Sequence, residues 1–372
     1  MLTKLSIQTC PLLMFVSKNE LDQHGSRGNI MKTEDLASKL ASMWEVNSGF
    51  NITEVLVEDY SSLKQLTTQM DEALAICLGG LTSFTRLRLE YNMALSALPS
   101  EEVFEHLIKL DWLTIRGCWC LRSLGGLSAA PYLSRFYCID CPSLDLARGA
   151  EFMSFNLAGE LHICGCILAA DSFINGLAHL KSLIIMCCRT SPSLSIGHLT
   201  SLESLDLIHL PDLCSLEGLS SWQLQYLSLI DVPNLTTKCI SQFRVQQLLV
   251  VSSFVLLNLM LKAEGFIVPP NLILRYCNEA SASFGECANL LSVKHLYFWQ
   301  CKMEFLPGNL KFLSSLESLD IRHCPNITSL PVLPSSLQRI SLYGCDDLRK
   351  NCREPDGESW PQISHIRWKH FD

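Results

Sequence analysis

The sequence predicts an α/β solenoid with a curved parallel β-sheet on the concave face and loops and short helices on the convex face. Three observations carry this. The phrase LESLDIRHCPNI at 316–327 nearly repeats LESLDLIHLPDL at 202–213. Both fit a frame LxxLxLxxCxxL, with an aliphatic or aromatic side chain at the L positions. Its first residue recurs at Leu2, Ile52, Phe84, Leu110, Leu133, Ala158, Leu180, Leu202, Leu224, Val245, Pro269, Val293, Leu316 and Leu337. From Phe84 onward the spacings stay between 21 and 26 residues, and that regularity replaces any division of the 372 residues into globular domains by length alone.

Within one unit, positions 4 and 6 of the frame alternate as a strand requires. Leu319 and Ile321 therefore point to one side and Asp320, between them, to the other. A single unit cannot bury those side chains. Stacked units can, because each strand pairs in parallel with the next and the aliphatic groups form a continuous inner column. At ~4.8 Å per strand, about fourteen units span on the order of 65 Å. The ninth position is expected to turn the chain out of the strand. It holds Cys10, Cys118, Cys141, Cys166, Cys188, Cys277, Cys301, Cys324 and Cys345, with Asn92 once, which accounts for half of the 18 cysteines. A cysteine there is small, readily buried and a weak donor toward the loop backbone.

Along the chain, the interval from Leu2 to Ile52 is too long for one unit, so residues 14–49 are expected to hold an insertion or a degenerate repeat. Leu36, Leu40 and Met43 at helical spacing favour a partly helical insertion. EEVFEHL at 101–107 reads as a short convex-side helix. The apolar run from Phe254 to Val268 is broken by Asn258, Lys262 and Glu264 and falls short of the ~20 residues a spanning helix needs, so no membrane span is expected. Residues 1–348 thus form the repeat domain. Residues 349–372, with Arg349, Lys350, Arg353, Glu354, Trp360 and Trp368, form a tail expected to cap the last repeat. Because the first repeat starts at Leu2 with no cap before it, the chain is expected to be a piece of a longer product.

The frame resembles the leucine-rich-repeat family. More narrowly, CPNITSLPVLPSSLQRISLYGCDDL followed by CREPDGESWPQISHIRWKH looks like the carboxy-terminal end of plant intracellular nucleotide-binding leucine-rich-repeat disease resistance receptors. Cys352, Arg353, Glu354, Gly357, Glu358, Trp360, Pro361, Ile363, His365 and Ile366 carry that second resemblance. It implies a cytoplasmic module of innate immunity that binds a pathogen effector or a guarded host protein and restrains the receptor's other domains. The chain departs from the whole receptor in having no GxxxxGK[ST] loop, so nucleotide switching is not expected of these residues. The alternative implied by the fold, a substrate-binding adaptor of a ubiquitin ligase, would need an F-box-like helical segment that residues 1–51 do not obviously provide.

The other readings are physical. The net charge of −8, without a Lys/Arg-rich block, argues against nucleic acid as a partner. The frame spreads histidines and acids singly over an open surface, so neither catalysis nor a cofactor is expected. His162, Cys164 and Cys187 tempt a zinc reading, but no paired CxxC modules occur and no metal site is expected. The expected partner is a protein, held on the concave face by Trp112, Arg116, Tyr137, Asp206, Tyr226, Arg275, Tyr276, Tyr297, Trp299, Arg322, His323 and Tyr343. An apolar patch from Ile184, Met186, Ile208, Ile230, Leu249, Val251 and Ile273 is expected beside them, as a partner site or a seat for further domains.

Overall fold

The computed structural model describes residues 84–144, 146, 157–168, 177–218, 223–240, 242–279, 283–285 and 287–372, together with strands at 4–8 and 54–58 and residues 74, 75 and 78. The expected insertion at 14–49 and Cys10 lie outside the described residues. The chain is an α/β solenoid, its strands following one another in parallel, and it forms two compact units, 1–191 with 198–201 and 192–197 with 202–372.

In the first unit the sheet runs β1 (Lys4–Gln8), β2 (Glu54–Glu58), β3 (Arg86–Glu90), β4 (Trp112–Arg116), β5 (Arg135–Ile139), β6 (Glu160–Cys164) and β7 (Ser182–Met186), each paired in parallel with the next. In the second it runs β8 (Ser204–Ile208), β9 (Leu224–Ile230), β10 (Val245–Val251), β11 (Asn271–Arg275), β12 (His295–Trp299), β13 (Ser318–Arg322), β14 (Arg339–Tyr343) and β15 (Trp368–Phe371).

The register puts position 4 against position 4 and position 6 against position 6, except at β10, where Leu249 and Val251 take those places. Leu87, Leu113, Phe136, Leu161 and Leu183 form one row, and Leu89, Ile115, Cys138, Ile163 and Ile185 the other. In the second unit the rows are Leu205, Leu227, Leu249, Leu272, Leu296, Leu319 and Ile340, and Leu207, Leu229, Val251, Leu274, Phe298, Ile321 and Leu342. None of these is more than 1% exposed. Each such burial contributes roughly 1.5–3 kcal/mol relative to an exposed side chain, which is why the frame recurs.

The turn out of the strand is made one residue earlier than the sequence suggests. Position 8 is left-handed at Tyr91, Asp140, Cys187, His209, Asp231, Tyr276, Gln300 and His323, with φ between 51° and 61°, and at Gly117, Gly165 and Gly344. There the amide still continues the ladder, as in Gln300 N–H to Arg322 O at 2.8 Å and His323 N–H to Tyr343 O at 2.8 Å, while the left-handed φ bends the chain away. The ninth-position thiol then fastens the corner. Cys324 Sγ reaches Arg322 O at 3.3 Å in its own strand and Phe298 O at 3.7 Å in the preceding one, and Cys345 does the same with Tyr343 O and Ile321 O at 3.4 and 3.7 Å. Burial pushes the Cys188 thiol up to about 12, and hydrogen bonds between neighbouring thiols push Cys301 and Cys324 up to about 12, so these groups stay protonated donors. Asn92 stands in for cysteine by donating to Glu90 O at 3.1 Å.

Behind the strands, α1 (Glu101–Glu105) buries Phe104, in the segment where a short helix is expected. α2 (Phe254–Lys262) buries Phe254, Leu256, Leu257, Met260 and Leu261. Its N-terminus is capped by Ser253, whose hydroxyl accepts from Val255 N and Leu256 N at 3.1 and 3.4 Å. Among the described residues no helix is long and apolar enough to cross a membrane. The tail past Leu348 completes α3 (Asp346–Asn351), adds α4 (Trp360–Ile363) and supplies β15, which pairs with β14 although the frame gives no sign of it.

Candidate functional site

The face of the sheet opposite the aliphatic rows is built from positions 3, 5 and 7. In its middle row Thr114, Ser228, Asp320 and Ser341 are buried at position 5, whereas Arg88, Tyr137, His162, Ile184, Asp206, Ile273 and Tyr297 are half-buried there. Arg86, Arg116 and Trp299, which are exposed outright on this face, belong to the flanking rows.

In the first unit, position 3 carries Arg86, Trp112, Arg135 and Glu160 on successive strands. The guanidinium carbons of Arg86 and Arg135 lie 4.9 and 4.8 Å from the centre of the Trp112 ring, holding the indole between two cations. Tyr137 meets Trp112 edge to face at 5.2 Å and His162 at 5.5 Å, and its hydroxyl donates to Glu160 Oε2 at 2.9 Å. Burial, with that hydrogen bond, pushes the Tyr137 phenol up to about 12. Burial likewise holds the His162 imidazole below its usual range. Arg116 lies over the Tyr91 ring at 5.9 Å. Trp112, Arg116 and Tyr137 thus line one hollow of about 390 Å³, shared with Arg86, Arg88 and Glu90. The sequence reading did not single out these last three, although they occupy positions 3, 5 and 7 of the Phe84 unit.

In the second unit the corresponding row is position 7, where the register sets Arg275, Trp299, Arg322 and Tyr343 side by side. The Arg275 guanidinium lies 4.9 Å from the Trp299 ring centre and 4.7 Å from that of Tyr276, and Arg322 lies 4.5 Å from Tyr343. Asp320 pins Arg322 with two bonds, at 2.6 and 2.9 Å, and raises its pKa. Trp299 and Tyr276 are each 38% exposed. Tyr297 sits between Ile273 and Asp320 in the middle row, half-buried. Asp206 and Tyr226 are joined by a hydrogen bond from the phenol to Oδ1 at 2.8 Å, and burial with the adjacent carboxylate raises the phenol's pKa. Tyr276 and His323 are not strand residues. Both occupy the left-handed eighth position, exposed at the strand's exit.

The expected apolar patch does not form as one surface. Leu249 and Val251 are fully buried in the aliphatic rows and Ile230 is 3% exposed. For Leu249 and Val251 the cause is a register shift between Leu224 and Tyr226 in the β9–β10 pairing, where Leu224 faces Val245 but Tyr226 faces Leu248. β10 carries one extra residue there, so the inward positions move from Leu248 and Val250 to Leu249 and Val251. Ile184, Met186, Ile208 and Ile273 remain half-exposed on the open face.

No family model matches the chain. Its sequence is similar to plant disease resistance proteins. It is 26% identical over 247 residues to disease resistance protein RPS4B of Arabidopsis thaliana, covering 66% of this chain and 19% of that protein. It is 35% identical over 81 residues to TMV resistance protein N of Nicotiana glutinosa, covering 22% of this chain and 7% of that protein. The chain thus spans a fifth or less of the length of these relatives. Among solved structures, the crystal structure of a TLR13–ssRNA13 complex aligns with 84% of this chain and 48% of that one, at 13% identity and a TM-score of 0.45.

Proposed function

We propose that this chain, a leucine-rich-repeat region similar to those of plant disease resistance proteins, is the recognition module of such a receptor. It binds a pathogen effector or a guarded host protein on its open sheet face and otherwise holds the receptor's remaining domains at rest. The observation that carries the binding reading is the pair of guanidinium–aromatic rows, Arg86–Trp112–Arg135 and Arg275–Trp299–Arg322–Tyr343. Both are built from residue types that anchor protein interfaces, and both stand outside the aliphatic column. A scaffold role without catalysis fits the same face, which presents titratable groups on an open sheet rather than in an enclosed pocket. An intracellular setting fits the buried thiols, since no disulfide joins any cysteine among the described residues. The similarity to disease resistance proteins favours this reading over a ubiquitin-ligase adaptor.

The test is proximity labelling in leaf tissue with the chain, its Trp112→Ala and Trp299→Ala variants, and Val332→Ala as a control remote from the rows. The proposal expects at least one host or pathogen protein to be labelled by the chain and the control but lost from a tryptophan variant whose melting profile is unchanged. Truncating such anchors typically costs ~2 kcal/mol or more of binding, on the order of thirtyfold in affinity. Identical labelled sets for all the folded proteins would overturn it.

A further inference from the structure

We infer that the hollow on the first unit takes an acidic, extended protein segment, its carboxylates held by Arg86 and Arg116; this rests on the binding reading above and specifies its partner chemistry. Four arginines gather on this part of the face, but they are not equivalent. Arg88 is committed to Glu90, its Nε donating to Oε1 at 2.8 Å, and Arg135 is committed to Asp111. Among the described residues Arg86 and Arg116 make no ion pair, although Arg86 lies close enough to Asp111 to help lower its pKa. They are held by aromatic rings instead, Arg86 over Trp112 and Arg116 over Tyr91. A ring fixes a guanidinium's plane without engaging its N–H fork in a bidentate pair, which is the state that receives a carboxylate.

The local charge points the same way. Arg86, Arg88 and Arg116 line the hollow with Glu90 as the one acid of that lining, Asp111 lying outside it against Arg135, in a chain whose formal net charge is −8. A long polyanion would meet the repulsion of the rest of the chain, whereas a short acidic segment meets only the positive hollow. Spacing sharpens the match. Arg86 opens β3 and Arg116 closes β4, next to it in register, so the two lie four residues apart along the strands, roughly 13 Å. An extended peptide presents side chains four residues apart on the same side at about that distance. Trp112 and Tyr137 supply the apolar floor between the two points.

The experiment is fluorescence anisotropy on the full chain with a dye-labelled glycine–serine peptide carrying two glutamates four residues apart. Its glutamine counterpart and a dye-labelled oligothymidylate serve as comparisons. The glutamate peptide should bind at low salt and weaken as salt rises. The glutamine peptide, and the Arg86→Gln/Arg116→Gln variant tested with the glutamate peptide, should each bind on the order of tenfold or more weaker, as expected for a lost charge-assisted hydrogen bond. Equal binding of the two peptides to the unaltered chain overturns the inference whether or not the variant folds, as does tighter binding of the oligothymidylate or undiminished binding by a folded double variant. Loss of a labelled partner in Trp299→Ala together with equal peptide binding would leave the binding reading standing and remove only the acidic one.

Discussion

At Gln300 the backbone sits at φ 52° with the side chain exposed, so nothing about packing selects glutamine there. What the site demands is a residue that tolerates the left-handed region, for which an L side chain gives up roughly 1–2 kcal/mol. Glycine fills the same position at 117, 165 and 344, whereas tyrosine, histidine and aspartate fill it elsewhere. Gln300→Val should therefore lower stability by about 2 kcal/mol, since a β-branched residue fits this region worst, while Gln300→Gly should be nearly neutral. Urea unfolding of the two variants checks this, and equal midpoints would contradict the assignment of the turn to position 8. Such a position is hard to read from one sequence because its requirement falls on the backbone and no single side-chain type answers it. The ninth position was legible for the opposite reason: burial beside two carbonyls selects a small group with a donor, and cysteine recurs.

At the scale of the strand, the frame located fourteen strands by their first residues from Leu2 to Leu337, because positions 4 and 6 must be apolar in every coil. Among the strands whose side chains are described, it misplaced the inward residues in β10 alone. There VQQLLVV holds four consecutive apolar residues, so two registers satisfy the pattern equally and the bulge against β9 decides between them. Leu249→Asp should then cost several kcal/mol by burying an unpaired carboxylate, while Leu248→Asp, on the half-exposed face, should be tolerated within about 1 kcal/mol. Thermal unfolding of the pair discriminates the registers; the reverse order of stabilities would restore the regular frame. β15 was illegible on different grounds. WKHF offers no aliphatic pair for the column, and its place is set by pairing with Arg339–Leu342 rather than by its own side chains.

For the molecule as a whole, the repeat divides the labour of the sequence. Positions 4 and 6 hold the coils together, positions 8 and 9 turn and fasten them, and the outer rows at positions 3 and 7 are left to meet a partner. The candidate residues that the structure groups are those of the outer rows and their neighbours: Trp112, Arg116 and Tyr137 in one unit, and Arg275, Tyr276, Trp299, Arg322 and Tyr343 in the other. The acids that fix Arg88, Arg135 and Arg322, namely Glu90, Asp111 and Asp320, could not be read from spacing alone because each lies on a different frame position. All of this depends on which way adjacent side chains of one strand point, and Leu319 beside Ser318 tests it most directly. Leu319 is fully buried, whereas Ser318 opens the strand half-exposed beside Arg339. The melting temperature of Leu319→Asp should fall by many degrees or its cooperative transition should vanish, with that of Ser318→Asp unchanged within a degree or two. Equal melting temperatures for the two variants would contradict the account.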